Sequence, residues 1–204
     1  IIGLFALTFG FLTLKIYRPA NTTKQVEQNF NEVTVKDGIN YVRKNENIYI
    51  LLLIGFGMMV FWAFSQPLLP LYSKEILNIG GGGYAILNGL YFFGSMLGSL
   101  LITFSIVKIR KSRILFISAL LFSFFHILLY NSNQPIISGF LIVASGISHS
   151  IWWISILVYL QTISDEKYKG RVVGFYFSLL VSVSVGSILG GLISEFIGTR
   201  STVY

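Results

Sequence analysis

The stretch Ile136–Leu160 reads IISGFLIVASGISHSIWWISILVYL and contains no Asp, Glu, Lys or Arg. A hydrocarbon core of about 30 Å needs about 20 consecutive apolar residues in an α-helix, and this stretch is long enough to cross it. Its apolar residues run on without alternating with polar ones, which argues against a strand of a lipid-facing barrel. The stretch therefore predicts a transmembrane helix.

Similar runs on both sides of this stretch predict a multi-spanning helical bundle. Residues 1–16 are interpreted as the end of one transmembrane helix, and residues 17–47 as a loop that contains an amphipathic helix. Residues 48–199 are predicted to form a bundle of five transmembrane helices, and residues 200–204 the start of a further, truncated segment. The five predicted spans are Ile48–Leu71, Tyr84–Val107, Ile114–Tyr130, Ile136–Leu160 and Val172–Ile197.

The composition also indicates a membrane protein of the all-α class. Charged residues make up only 11% of the chain, hydrophobic residues make up 54%, and the mean hydropathy is +0.74. A soluble domain carries about 25% charged residues because its surface faces water. The chain has no cysteine, which excludes disulfides, thiolate metal sites and cysteine nucleophiles within these residues.

The basic residues predict how the bundle is oriented. Of 15 Lys and Arg residues, 13 lie in or beside three connecting segments, 17–47, 108–113 and 163–171. Positive charge concentrates on the cytoplasmic side of membrane proteins, so these segments are predicted to be cytoplasmic and the protein to lie in the inner or plasma membrane. The net charge of +7 is thus a topology signal. No continuous basic face on a soluble domain is present, and nucleic acid is excluded as a partner.

Four sequence motifs follow each other along the chain. They are DGINYVRKN at Asp37–Asn45, GYAILN at Gly83–Asn88 with GSMLGS at Gly94–Ser99, QTISDEKYKGRV at Gln161–Val172, and GGLISEFIG at Gly190–Gly198. Together they resemble the second half of a major facilitator superfamily transporter, and most of all the branch of macrolide-efflux pumps and enterobactin-type siderophore exporters. The resemblance implies the end of helix six, the central cytoplasmic loop and helices seven to eleven.

One loop departs from the pattern of the superfamily. Its signature loop carries an Asp before a basic run, whereas this chain has Val107 before the basic residues of 108–113. The resemblance survives this change, but no charge-latched gate is expected in this loop. The missing N-terminal half of the same transporter is expected as a partner, together with the lipid bilayer and a small-molecule substrate.

The resemblance implies that helices seven and ten line a central cavity. Helix ten independently carries a stripe of polar and aromatic residues, with His149 beside it near the middle of the span. An ionisable group at that depth is a functional candidate by default, although a neutral histidine bonded to a neighbouring helix is the alternative. The predicted substrate-binding residues are Trp62, Gln66, Ser145, His149, Trp152 and Trp153.

Other residues are candidates for coupling, gating or packing. His149, Glu195 and Arg171 are the coupling or gating candidates, and Glu195 is interpreted as a gate or loop contact near the outer end of its helix. His126 is interpreted as structural, and Gly80–Gly83 as an outer turn. Small residues that include Gly94, Gly98, Gly186 and Gly190 form ridges for close helix packing. These ridges are either sliding surfaces against the absent half, which we favour, or tight static contacts.

These observations favour a secondary active transporter that exports amphipathic small molecules such as drugs or siderophores. Proton antiport with alternating access is what the resemblance implies. A solute importer or permease is the alternative, and a non-transporting membrane scaffold ranks lower. An enzyme is not expected, since no metal cluster, Ser/His pair or paired carboxylates are present. No cofactor, metal or catalytic residue is predicted.

Overall fold

The structure is a computed structural model that describes residues 34–105 and 111–197. Several predicted features lie outside these ranges. They are the helix end at 1–16, most of the 17–47 loop, the Val107 position and the segment 200–204.

A short amphipathic helix opens the described part of the chain. Helix α1 spans Val35–Lys44 and begins with a capping box, in which the Thr34 hydroxyl accepts the Asp37 N–H while Asp37 accepts the Thr34 N–H. This reciprocal pairing satisfies two backbone donors that a helix start leaves free. The pKa of Asp37 lies below its ordinary value because the Thr34 side chain and backbone donate to its carboxylate.

Five membrane-length spans follow α1, as the sequence predicted. By length and composition, the described residues contain five helices able to cross a membrane: Glu46–Ile76, Gly80–Thr103, Arg113–Asn131, Pro135–Ile163 and Glu166–Phe196. We refer to them as the first to fifth spans. The individual elements are α2 (Glu46–Ser65), α3 (Leu68–Leu71), a π-helical turn (Tyr72–Ile76), α4 (Gly80–Ser105), α5 (Lys111–Asn131), α6 (Pro135–Ile163), α7 (Glu166–Ser178), a 3-10 turn (Leu179–Val181) and α8 (Ser182–Ile197).

The first span is interrupted at Gln66 and Pro67, because proline has no N–H to continue the helix and its ring crowds the preceding turn. The Ala63 carbonyl, which would otherwise bond to residue 67, accepts the Gln66 N–H at 3.2 Å and the Ser187 hydroxyl at 3.2 Å. A neighbouring span therefore supplies the partner that the proline removes.

The interpretation of Gly80–Gly83 as a turn is wrong beyond Gly80. The reversal occurs at residues 77–80, where Asn78 and Gly80 have φ values of 55° and 62°, and α4 begins at Gly80. The Gly83 N–H donates to the Ile79 carbonyl at 3.2 Å, so the glycine run is drawn into the first helical turn. A run of glycines disfavours a helix by propensity, but propensity is a weak prior that tertiary context overrides.

Glycines set how closely the spans approach. A Cβ at Gly94 or Gly98 would overlap the carbonyl oxygens of Val143 and Ile147 on the fourth span. A Cβ at Gly186 or Gly190 would overlap the carbonyl oxygens of Val60 and Phe64 on the first span. The favoured interpretation of these glycines as sliding surfaces against another half is therefore wrong. They hold tight contacts inside this bundle, because in lipid close backbone packing replaces the hydrophobic drive.

Each end of the bundle has its own tyrosine link. At one end, the Tyr72 hydroxyl lies 2.6 Å from the Leu129 carbonyl, 2.9 Å from the Ser132 carbonyl and 2.6 Å from the Ser138 hydroxyl. At the other end, the Asp165 N–H donates to the Tyr41 hydroxyl at 2.8 Å. The turns after the first and third spans thus share one end, and α1 shares the opposite end with the turn after the fourth.

Candidate functional site

Aromatic rings from four spans surround His149. The residue lies midway along the fourth span, and its ring stacks on Trp62 of the first span with centroids 5.2 Å apart. Tyr91 of the second span and Phe122 of the third approach the same ring at 5.6 and 5.8 Å. Trp152 meets it edge-on at 5.2 Å. We call these five residues the central cluster.

One hydrogen bond holds two of these rings in place. The Trp62 indole N–H donates to the Tyr91 hydroxyl at 2.6 Å, which links the first and second spans. Tyr91 is buried, whereas Trp62 is only partly buried. A buried aromatic residue with a polar end usually has a partner of this kind, and the bond fixes the plane of the ring on which His149 stacks.

His126 lies close to the central cluster. Its Nδ1 lies 2.7 Å from the Ser145 hydroxyl, and both side chains are buried. The Phe122 ring lies 4.2 Å from His126 and 5.8 Å from His149, so one phenyl group contacts both imidazoles. The two histidines therefore belong to one buried polar region of the bundle.

Three buried polar atoms on the fourth span have no hydrogen-bond partner among the described residues. They are His149 Nε2, Trp152 Nε1 and Ser155 Oγ, which follow each other at steps of three residues. Leaving a buried polar group unpaired costs about 1–3 kcal/mol, so such groups are normally satisfied by protein or by ordered water. The polar stripe predicted from the sequence therefore contains three groups whose hydrogen bonds are not made to any described residue.

The structure brings some of the predicted site residues together and separates others. Trp62 and His149 are in contact and partly buried, and Gln66 borders a small pocket one turn along the first span. Ser145 and Trp152 are 0% and 1% exposed, so they are closed inside the bundle instead of lining an open cavity. Trp153 lies outside the cluster and packs on Tyr176 of the fifth span, with centroids 4.5 Å apart.

Sequence reasoning missed several residues of this region. Tyr91 and Phe122 complete the ring of aromatics, and Asn88 and His126 line the small pocket with Gln66. For Tyr91 a signal was available, because it precedes Gly94 and Gly98 by three and seven residues and so shares their helix face. Gly146 lies against the Tyr91 backbone on that face.

The charged candidates lie away from the cluster. Glu195 is exposed, and so is Arg171, whose side chain approaches Gly38 of α1. Each of the six carboxylates in the described residues is exposed: Asp37, Glu46, Glu75, Asp165, Glu166 and Glu195. The described ranges contain no group of three His, Cys, Asp or Glu suited to a metal ion. Among the His, Asp and Glu side chains of the described ranges, His149 and His126 are thus the ones that face the middle of the bundle.

Comparison with known proteins identifies the family. The profile of the major facilitator superfamily matches residues 51–204. The chain belongs to the major facilitator superfamily. It is accordingly a multi-pass membrane protein of a superfamily of transporters, built from five spans in its described part.

One curated member of the superfamily is similar to this chain over nearly its whole length. An uncharacterized MFS-type transporter of Bacillus subtilis (strain 168), YfmI, is 24% identical over 208 residues, which cover 98% of this chain and 51% of the relative. The chain spans about half the length of this relative. No solved structure gives a significant match.

Proposed function

We propose that this chain forms the second half of a secondary active transporter that exports amphipathic small molecules from the cytoplasm. In this proposal, the protein lies in the inner or plasma membrane, with residues 17–47, 108–113 and 163–171 on the cytoplasmic side. The other half of the same transporter completes the substrate cavity, and the two halves alternate access to it. The efflux branch noted from the sequence motifs is part of the proposal.

The central cluster carries the proposal. His149 and three aromatic rings converge from four different spans near mid-membrane, where polar groups are costly and usually serve a substrate or ion path. The first span breaks at Pro67, next to Gln66, and interrupted helices often flank transporter sites. A scaffold protein would need neither feature.

The composition of the cluster favours a particular kind of substrate. Ligand sites in proteins are mostly apolar, with few polar groups that fix orientation. Here Trp62, Tyr91 and His149 offer aromatic faces, and Gln66 and Asn88 offer amides in the adjoining pocket. All described carboxylates and cationic side chains on the spans are away from this region. A bulky, partly apolar molecule with few hydrogen-bonding groups fits this lining better than a sugar or an organic acid.

We also propose that transport is coupled to protons, and that the carboxylate that carries the proton lies outside the described residues. No described carboxylate lies at mid-depth, so we propose that the proton-carrying carboxylate belongs to the other half. His149 is then a substrate-binding group that the central cavity reaches from one side, and it is the local candidate for a coupling role.

Proton-linked efflux by the full-length protein tests the proposal. Everted membrane vesicles would be energised with a respiratory substrate and their pH gradient followed with acridine orange while ethidium or a macrolide is added. We expect the added compound to dissipate the gradient. The double variant Gln66→Leu/His149→Leu is expected to reduce this response about tenfold or more, since losing interactions of about 1.4 kcal/mol changes a rate tenfold.

Phe140→Leu is the matched control, because Phe140 is 75% exposed on the outside of the fourth span. This variant is expected to behave like the parent protein. Accumulation of the compound inside intact cells, driven by protons that enter the cell with it, would instead indicate an importer. An unchanged response in the double variant would contradict a role for the central cluster in transport.

A further inference from the structure

Helix α1 lies at the end of the bundle that the proposed orientation assigns to the cytoplasmic side. Only Asn45 separates it from the first span, and it also packs against the start of the fifth span. Gly38 approaches the Arg171 and Phe175 side chains, and Tyr41 stacks on Tyr168 with centroids 4.2 Å apart. Because both neighbouring spans begin at this level, α1 lies at the height where the surface of the bilayer is expected.

The burial, polarity and charge of the α1 side chains change around the helix axis. Successive residues of an α-helix are about 100° apart, which allows each side chain to be assigned to a sector. In order around the helix, the sectors contain Gly38 and Val42, then Val35 and Ile39, then Lys36 and Arg43, then Asn40 and Lys44, and finally Asp37 and Tyr41. The first pair is buried against the protein, Tyr41 is half-buried, and every other member is exposed.

The second sector is unusual because its side chains are apolar and yet exposed to solvent. Val35 is 53% exposed and Ile39 is 40% exposed, and they are one turn apart on the same edge. The cations Lys36 and Arg43 flank this edge on its solvent side. The helix carries a single acid, Asp37, which lies on the opposite side and is occupied by hydrogen bonds from Thr34.

We propose that α1 is an interfacial anchor that binds anionic phospholipids of the cytoplasmic leaflet. The Val35–Ile39 edge enters the boundary between acyl chains and headgroups, and Lys36 and Arg43 contact lipid phosphates. A helix with one apolar edge bordered by Lys and Arg binds membranes in this orientation, with the cations adding attraction to anionic lipid. Tyr49, 51% exposed in the first turns of the adjoining span, lies at the depth where aromatic side chains anchor to headgroups.

The lipid surface fits this edge better than another protein segment does. A protein partner would have to bury two aliphatic side chains beside two cations, and it would either leave both cations in water or pair them with acidic groups. In the bilayer, acyl chains and phosphates already lie next to each other at the depths that this edge and its cations require. No partner segment has to lose conformational entropy on binding. The inference does not depend on the substrate or on the direction of transport.

Fluorescence quenching in the full-length protein tests the anchor. The 204 residues contain no cysteine, so in a cysteine-free background single cysteines can carry a polarity-sensitive label. The label is placed at Ile39→Cys on the apolar edge and, as a matched control, at the adjacent Asn40→Cys on the polar side. The protein is reconstituted in phosphatidylcholine vesicles with or without phosphatidylglycerol, and quenching by spin-labelled lipid is compared with quenching by aqueous iodide.

We expect lipid quenching at position 39 and iodide quenching at position 40. Phosphatidylglycerol is expected to raise the lipid quenching at position 39 about twofold, and Lys36→Gln/Arg43→Gln is expected to abolish that increase, since each cation near an anionic surface adds to its attraction. Protection of position 39 from both quenchers would mean that protein covers this edge, which overturns the proposal. Iodide quenching at both positions would also overturn the proposal. So would lipid quenching at position 39 that is the same with and without phosphatidylglycerol.

Discussion

Gly190 and Gly191 are neighbours on α8, yet only Gly190 lies against another helix. A Cβ at Gly190 would overlap the Phe64 carbonyl oxygen, whereas a Cβ at Gly191 would meet nothing within 4 Å. The backbone of the first span cannot retreat without disturbing the contact at Gly186 one turn away. An added methyl group is therefore expected to be accommodated at Gly191 but not at Gly190.

Gly190→Ala is expected to destabilise the protein by about 1–3 kcal/mol, the usual effect of overpacking a close contact. Thermal unfolding of the detergent-solubilised protein, followed by the fluorescence of its tryptophans, measures the change. Gly191→Ala is the matched control and is expected to unfold at the temperature of the parent protein or above it, because alanine favours a helix. Equal losses in the two variants would show that the first and fifth spans do not approach at Gly190.

The end of the first span is connected to the third and fourth spans through the hydroxyl group of Tyr72. The π-helical turn Tyr72–Ile76 is not a regular continuation of the helix, and the buried Tyr72 hydroxyl connects it to two carbonyls and to Ser138 beyond the third span. π-helical turns are rare and need such local support. The position of the following turn, Leu77–Ile79, depends on this connection.

Tyr72→Phe is expected to destabilise this element by about 1–3 kcal/mol, because the oxygens that the hydroxyl contacts are buried and lose a partner. Hydrogen exchange measured by mass spectrometry should be faster in peptides covering 72–79 and near 132–138, while the far end of the bundle keeps its protection. Tyr49→Phe serves as the control, since Tyr49 is exposed and removal of its hydroxyl should leave exchange unchanged. Uniformly faster exchange along all five spans would argue against a local role for Tyr72.

The whole molecule has two distinct ends, and the basic residues indicate which compartment each end faces. Asn78 lies in the turn after the first span, and Lys167 lies just after the fourth span at the end where α1 packs. Both residues are exposed, and the basic residues are concentrated at the second of these ends. Positive charge is retained on the cytoplasmic side during insertion, so the proposed orientation places that end in the cytoplasm.

Single-cysteine labelling in intact cells checks this orientation. In the full-length protein, Asn78→Cys is expected to react with a membrane-impermeant maleimide from outside, whereas Lys167→Cys should react only after the cells are permeabilised. Denatured samples provide the control for equal total reactivity. Labelling of both positions from the same compartment would contradict the alternation of the spans.

Much of the bundle could be predicted from hydropathy because lipid imposes a length on each span. All five spans were predicted, and their ends differ from the structure mainly where polar residues continue the helix, as at Glu166–Arg171 before the predicted start at Val172. Gly80–Gly83 was misread because four glycines have the composition of a turn, while the bond from Gly83 to Ile79 depends on the path of the chain.

The candidate site could be predicted only in part. His149, Trp62 and Gln66 stood out because a polar or ionisable side chain is rare in an apolar span. Tyr91, Phe122 and His126 did not, because an aromatic residue or a lone histidine in a span is equally consistent with lipid contact, with packing or with a site. Which faces meet depends on crossing geometry, and a single sequence does not contain it.

By itself, the sequence determined that the chain crosses a membrane in helices and that its basic connecting segments alternate with less charged ones. The reason is physical: burial in lipid depends on runs of apolar residues about 20 long, and such runs can be read locally. Only the tertiary structure decided that the glycine ridges face neighbouring spans, that Ser145 is closed off with His126, and that His149 lies among aromatic rings from four helices. These contacts depend on where backbones approach closely, and that is set jointly by residues far apart in the chain.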